Sequence, residues 1–168
     1  MDEKDMIIAG LIQAIQAEFE GHIFYKMSAE KTDDEQGAEA FRQLAKDEME
    51  HYTFLKAQYD SFLRQNRPDM DKKLGKSSQP IDSPIFSANF KSRLKDAHYE
   101  MTALSIGVQL ELSAINFYKS EAAKISEPTA KKFFKDLAEW ESAHYRRLLK
   151  QQQELKEEYW QDANFSPS

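Results

Sequence analysis

The stretch Leu44-Ala45-Lys46-Asp47-Glu48-Met49-Glu50-His51-Tyr52 decides how the chain is read. Glu48 and His51 stand three residues apart, about 300° of rotation on an α-helix, so their side chains share one face, one turn apart. A carboxylate and an imidazole so placed can hold one metal ion between them. A glutamate-rich chain produces a single Glu-x-x-His by accident, so the motif counts only in company. It recurs as Leu137-Ala138-Glu139-Trp140-Glu141-Ser142-Ala143-His144-Tyr145.

The offset between the two histidines is 144 − 51 = 93. Sliding the chain by that offset without gaps pairs Leu11 with Leu104, Gln16 with Gln109 and Glu18 with Glu111. It also pairs Phe24-Tyr25-Lys26 with Phe117-Tyr118-Lys119, Phe41 with Phe134, and Leu55 with Leu148. Identities this dense mark an internal repeat. The chain therefore reads as one domain, residues 1–168, built from a duplicated helical hairpin at about 6–66 and 97–159, with a crossover at about 67–96.

Composition agrees. A chain of 168 residues, 40% hydrophobic, is long enough to bury a sizeable core. Five Gly and five Pro against abundant Glu, Lys, Ala, Leu and Gln favour long helices. A net charge of −6 argues against nucleic acid as the main partner. The absence of cysteine excludes disulfides, thiolate metal sites and cysteine-ligated iron–sulfur centres. No apolar run approaches the roughly 18 residues of a membrane span, and Met1-Asp2-Glu3-Lys4-Asp5 is not a signal peptide, so a cytoplasmic protein is expected.

The first helix is predicted from about Met6 to Lys31, with Ile8, Leu11, Ile12, Ile15, Phe19, Ile23 and Met27 as its apolar stripe and Glu18 beside it. In the turn 32–36, either Thr32 with Glu35 or Asp33 with Gln36 fits a capping box. The second helix runs to about Gln65, with Phe41, Leu44, Glu48, His51, Leu55 and Phe62 on or near one face. Pro68, Gly75, Ser77-Ser78, Pro80 and Ser83-Pro84 mark the crossover, which Ile85-Phe86 and Phe90 pack onto the bundle or onto a second subunit. The third helix, about 97–124, repeats the first: Leu104, Val108, Leu112 and Ile115 surround Glu111. Ser126 is the expected N-cap of the fourth, which reaches about Tyr159, and 164–168 forms a frayed tail.

Four helices thus each offer inward-leaning ligands: Glu18, Glu48 with His51, Glu111, and Glu141 with His144. Four buried glutamates repel one another unless cations join them, and two divalent ions cancel their charge. Oxygen and imidazole donors without sulfur suit iron or manganese; zinc fits but offers no redox chemistry. Tyr25 and Tyr118, seven residues or about two turns beyond Glu18 and Glu111 on the same helices, are placed to hydrogen-bond those glutamates. Asp47 stands one turn before His51 and reads as that histidine's support or as surface; its repeat mate is Trp140. Glu50 reads as solvated face, His22 falls outside the ligand set because its mate is Ile115, and His98 reads as structural.

Paired Glu and Glu-x-x-His motifs in tandem resemble those of the ferritin-like di-iron carboxylate superfamily, and within it the rubrerythrins, over all four helices. The resemblance implies an all-α, antiparallel four-helix bundle with one long crossover between the second and third helices. It implies two non-haem irons held by Glu18, Glu48, His51, Glu111, Glu141 and His144. It implies an oxidoreductase of oxidative-stress defence that reduces peroxide or dioxygen, as a homodimer, with Tyr25 and Tyr118 assisting. Two departures stand out. Rubrerythrins usually carry a cysteine-ligated rubredoxin domain, and with no cysteine here the electrons must come from an external donor protein. They also carry a glutamate one turn after the third-helix ligand, where this chain has Ala114, so the site is more symmetric and closer to the bacterioferritin set. The competing readings are a ferroxidase or iron-storage subunit, a substrate hydroxylase, which would need an apolar pocket beside the metals, and a non-enzymatic metal-bound helical bundle.

Overall fold

The computed structural model describes residues 1–75 and 82–162. Four long helices, α1 (Glu3–Lys31), α2 (Glu35–Gln65), α3 (His98–Lys124) and α4 (Pro128–Asp162), form two hairpins, and a 3-10 segment, Ala88–Asp96, forms the end of the crossover. Helix α1 packs along α2 and α3 along α4, with α1 also meeting α3. Ser77-Ser78, Pro80 and the tail 164–168 of the sequence reading lie outside the described residues.

The starts of three helices differ from expectation. Asp2 accepts the N–H of Asp5 at 2.8 Å and starts α1 three residues earlier than Met6. Neither capping box forms in the α1–α2 turn. Asp34 is the N-cap, accepting the N–H of Gly37 at 2.9 Å, while the Thr32 hydroxyl turns back to the Ser28 carbonyl at 2.7 Å. Ser126 does not cap α4. Its backbone and hydroxyl both donate to Glu3, tying the two hairpins together, and Glu127 accepts the N–H of Ala130 at 2.5 Å instead. Each change gives an otherwise unpaired N–H of a first helical turn an acceptor.

The apolar stripe expected on α1 is only partly the buried one. Leu11 is buried, but Ile12, Phe19, Ile23 and Met27 are 50%, 46%, 40% and 47% exposed. The inward face is instead Ile7, Gly10, Leu11, Ala14, Glu18, Gly21, Tyr25 and Ser28. Small residues let the helices approach closely, so apolar content alone misjudged which side faces in. On α2 the expected face holds: Phe41, Leu44, Glu48, His51, Leu55 and Phe62 are all buried.

The core is two apolar clusters with a polar layer between them. One contains Tyr25, Phe41, Leu104 and Leu148; the other contains Tyr118, Phe134, Leu11 and Leu55. Every residue of the first set has its repeat mate in the second, so the duplication folds as a pseudo-two-fold. The crossover joins the first cluster, as expected from Ile85, Phe86 and Phe90. Phe86 stacks on Phe90 at 4.2 Å between ring centroids and meets Phe41 edge-on at 6.0 Å. Gln151 accepts the backbone N–H groups of Ile85 at 2.8 Å and Phe86 at 3.2 Å, and Asp34 accepts that of Ser87 at 3.0 Å, so this apolar segment is also satisfied as backbone. Gly37 makes room for it: a Cβ there would stand 2.4 Å from the Phe86 ring.

Candidate metal centre

The six residues converge in the polar layer, and all are buried. They form two overlapping groups, Glu18, Glu48, His51 and Glu141, and Glu48, Glu111, Glu141 and His144, each with one potential ligand atom per residue within 4.8 Å of the others. Glu48 and Glu141, from the two Glu-x-x-His motifs, belong to both groups; the helix glutamates and the histidines belong to one each. His51 Nδ1 lies 3.2 Å from Glu18, 2.8 Å from Glu141 and 3.8 Å from Glu48. His144 Nδ1 lies 3.3 Å from Glu48, 3.3 Å from Glu141 and 3.6 Å from Glu111.

His51 Nδ1 and Glu18 Oε2 pair as a hydrogen bond at 3.2 Å, but most of the other close approaches are proximity without pairing. Among the described residues, Glu48 Oε1, both oxygens of Glu141 and His144 Nδ1 are buried without a hydrogen-bond partner. Such orphans cost folding energy unless something absent from the protein chain satisfies them. Lone pairs from four carboxylates and two imidazoles facing one small space fit two divalent cations with oxygen and nitrogen preference.

Before a metal enters, the cluster balances its charge with protons. Burial, then the negative charges of Glu141 and Glu48, push Glu18 and Glu111 well above the usual carboxylate range. Burial also pushes Glu48 and Glu141 up, but polar contacts outweigh it: Glu18, His144 and His51 hold Glu48 below the ordinary value, and the His51 charge with contacts from Glu111 and His144 holds Glu141 well below. Burial pulls both histidines down. The charges of Glu141 and Glu18 for His51, and contacts with Asp47 and Glu111 for His144, overcome it and raise them well above ordinary imidazole. Metal loading would therefore release protons.

The tyrosines correct the sequence reading in one respect. Each meets the glutamate of the other hairpin: Tyr25 donates to Glu111 at 2.5 Å, and Tyr118 donates to Glu18. Burial, then the charge of the facing carboxylate, pushes both phenols well above 10, so they stay donors. Asp47 is neither surface nor a partner of His51; it is buried, 3.0 Å from His144 Nε2. Glu50 is exposed, as expected. His22 faces the Ala45 carbonyl at 2.7 Å and His98 is exposed at the start of α3, both away from the cluster. A cavity of about 330 Å³ between α1 and α3 reaches Glu18, Glu48 and Glu111, with walls including Ala17, Gly21, Leu110, Ala114 and Phe117. Gly21 and Ala114 are repeat mates, a signal in the sequence that the walls would open symmetrically.

Two duplicated hairpins around a buried, paired Glu and Glu-x-x-His cluster define a ferritin-like carboxylate bundle. The family model for rubrerythrin matches residues 10–152, and the chain belongs to that family of di-iron carboxylate proteins. Comparison with curated proteins and with solved structures finds no match.

Proposed function

We propose that this single domain holds two iron ions and reduces hydrogen peroxide to water with electrons from a separate donor protein, as a cytoplasmic homodimer. The observation that carries this reading is the pair of overlapping four-residue groups sharing Glu48 and Glu141. Glu18 with His51 and Glu111 with His144 would each serve one ion, and Glu48 and Glu141 both. When bound and reduced, two irons supply one electron each, the number that peroxide needs: H2O2 + 2 e⁻ + 2 H⁺ → 2 H2O.

The protein's own groups do the rest. The cavity admits the oxidant to one side of the cluster along mostly apolar walls. Tyr25 and Tyr118 fix the carboxylates of Glu111 and Glu18 and hold protons within the site. The exposed stripe of Ile12, Phe19, Ile23 and Met27 supports a partner subunit on α1. Among the described residues no helix is long and apolar enough to cross a membrane.

Stopped-flow mixing of anaerobically reduced protein with each oxidant tests the reading. Oxidation is expected to be faster with peroxide than with dioxygen, with one peroxide consumed per site. Ala114 in place of the rubrerythrin glutamate makes the reaction slower than is usual in that family. Faster oxidation by dioxygen, with peroxide inert, would move the protein to the ferroxidase or oxygenase side. The cavity itself favours a second reading, an oxygenase for a small apolar molecule, because about 330 Å³ far exceeds what peroxide requires. Narrowing it with Ala114→Leu should still pass a molecule as small as peroxide, so that turnover persists on the first reading, and should exclude the larger substrate on the second.

A further inference from the structure

We propose that the two metal positions are unequal: the ion at Glu111 and His144 is held more tightly than the ion at Glu18 and His51, and Asp47 is the positioning residue that makes the difference. This rests on reading the cluster as a two-metal site. The duplication makes the six ligands symmetric, but it is broken one position before each Glu-x-x-His. Asp47 stands there on α2, and Trp140 stands at its mate position on α4.

The break falls on the outer nitrogens of the histidines. His144 turns Nδ1 toward Glu48, Glu111 and Glu141 and places Nε2 3.0 Å from Asp47 Oδ2. With a proton on Nε2 donated to Asp47, the Nδ1 lone pair is free for a metal. The carboxylate fixes the ring's orientation and makes it a stronger donor. Asp47 is itself held, since Gln43 Nε2 donates to its other oxygen at 2.9 Å. Arg147, one turn beyond His144 and largely buried, places a positive charge near it.

His51 has the opposite surroundings. Its Nδ1 also faces the cluster, 3.2 Å from Glu18 and 2.8 Å from Glu141. Its Nε2 is buried and has no hydrogen-bond partner among the described residues. Trp140 meets the ring edge-on, with centroids 4.8 Å apart and planes at 88°. The indole is a donor only, and its N–H is already given to the Gly75 carbonyl at 2.8 Å. A neutral His51 that ligates through Nδ1 must therefore carry an Nε2–H that none of the described residues accepts, in a buried place where an unmade hydrogen bond is costly. At His144 the ligating tautomer is the one Asp47 selects; at His51 it is the one the surroundings penalise.

Loss of such a supporting carboxylate weakens metal binding by about 10–100-fold. The two ions should then load in sequence, with dissociation constants at least about tenfold apart. The test is an anaerobic calorimetric titration of metal-free protein with Co²⁺, followed in parallel by the visible absorption of each bound ion. Wild type is expected to show two resolved steps. His144→Ala should remove the tight step and its absorption band, and His51→Ala the weak one. Asp47→Leu, which gives His144 an apolar neighbour in place of its carboxylate, should weaken the tight step until the two merge; Asp47→Glu should restore part of the separation. Trp140→Phe, which offers no acceptor either, should leave both steps in place. Two equal steps in wild type, or loss of the weak step in His144→Ala, overturn the inequality. A wild-type titration ending at one ion or none overturns the two-metal reading itself.

Discussion

Tyr25 donates its hydroxyl proton to Glu111 at 2.5 Å across the bundle, and not to Glu18 on its own helix. Two turns of one helix separate residues by about 10 Å, too far for a hydrogen bond, whereas the pseudo-two-fold brings the opposite glutamate to the phenol. Tyr118 makes the mirror contact with Glu18. Each tyrosine sits in one apolar cluster and reaches into the polar layer, so the pair joins core packing to the site.

Tyr25→Phe should therefore destabilise the metal-free protein by about 1–3 kcal/mol, because it leaves a buried carboxyl without its donor while preserving the ring. Tyr118→Phe should cost a similar amount. Equilibrium unfolding in urea checks this as a lowered midpoint at unchanged slope; unchanged midpoints for both variants would show that the contacts carry no weight.

The metal-free protein should be most stable at mildly acid pH. Glu18, Glu111, His51 and His144 have raised folded values, so their contribution is full below the unfolded values and is lost as pH rises through the folded ones. Glu48 and Glu141 are lowered, so theirs is lost as pH falls below the ordinary carboxylate range. Across about pH 4 to 8, stability should peak at about 4.5, decline from there as Glu18 and Glu111 ionise in the unfolded chain but not in the folded one, and decline more steeply above about 6.5, where the unfolded histidines lose their protons too. A series of melts in chelator across that range tests the sign; stability that rises steadily from pH 6 to 8 contradicts it.

Metal should reverse that decline. At pH 7 two bound cations replace the protons, and at free metal about 100 times the dissociation constant each contributes about 2.7 kcal/mol. For a chain of this length that corresponds to a rise in Tm of roughly 5–10 °C per ion. Scanning calorimetry with and without chelator measures it, and an unchanged Tm would rule out the four-carboxylate cluster as a metal site.

Phe86→Ala should destabilise by about 3–5 kcal/mol, the range for emptying a buried aromatic site. Phe86 fills the space above Gly37 and bridges Phe41 and Phe90, so the crossover is part of the core. Thermal or urea unfolding reads the loss; a cost below about 1 kcal/mol would mean that the segment merely covers the bundle.

The architecture was legible because it was written twice. One offset of 93 positions aligned Glu18, Glu48 and His51 with Glu111, Glu141 and His144, and the structure brings all six together. What the repeat did not reveal was which residues meet across the pseudo-two-fold. Spacing along a helix suggested Tyr25 with Glu18 and Asp47 with His51, but the contacts cross to Glu111 and His144. The inward side of α1 was also hidden, because Ile12, Phe19, Ile23 and Met27 obey helical spacing as well as Leu11 does while lying outside the core. The capping residues Asp34 and Glu127 were missed because the short polar segments before α2 and α4 offered several acceptors, and only their contacts with Ser87 and Ala130 choose among them.

The measurement closest to the central claim is metal content per chain, in protein purified without chelator and in the double variant Glu48→Ala, Glu141→Ala. Those two residues are the ones both groups share, so their loss should empty both positions while the single variant Glu18→Ala disturbs chiefly one. The account predicts two ions per wild-type chain and none tightly held in the double variant. Two tightly held ions in the double variant would contradict it.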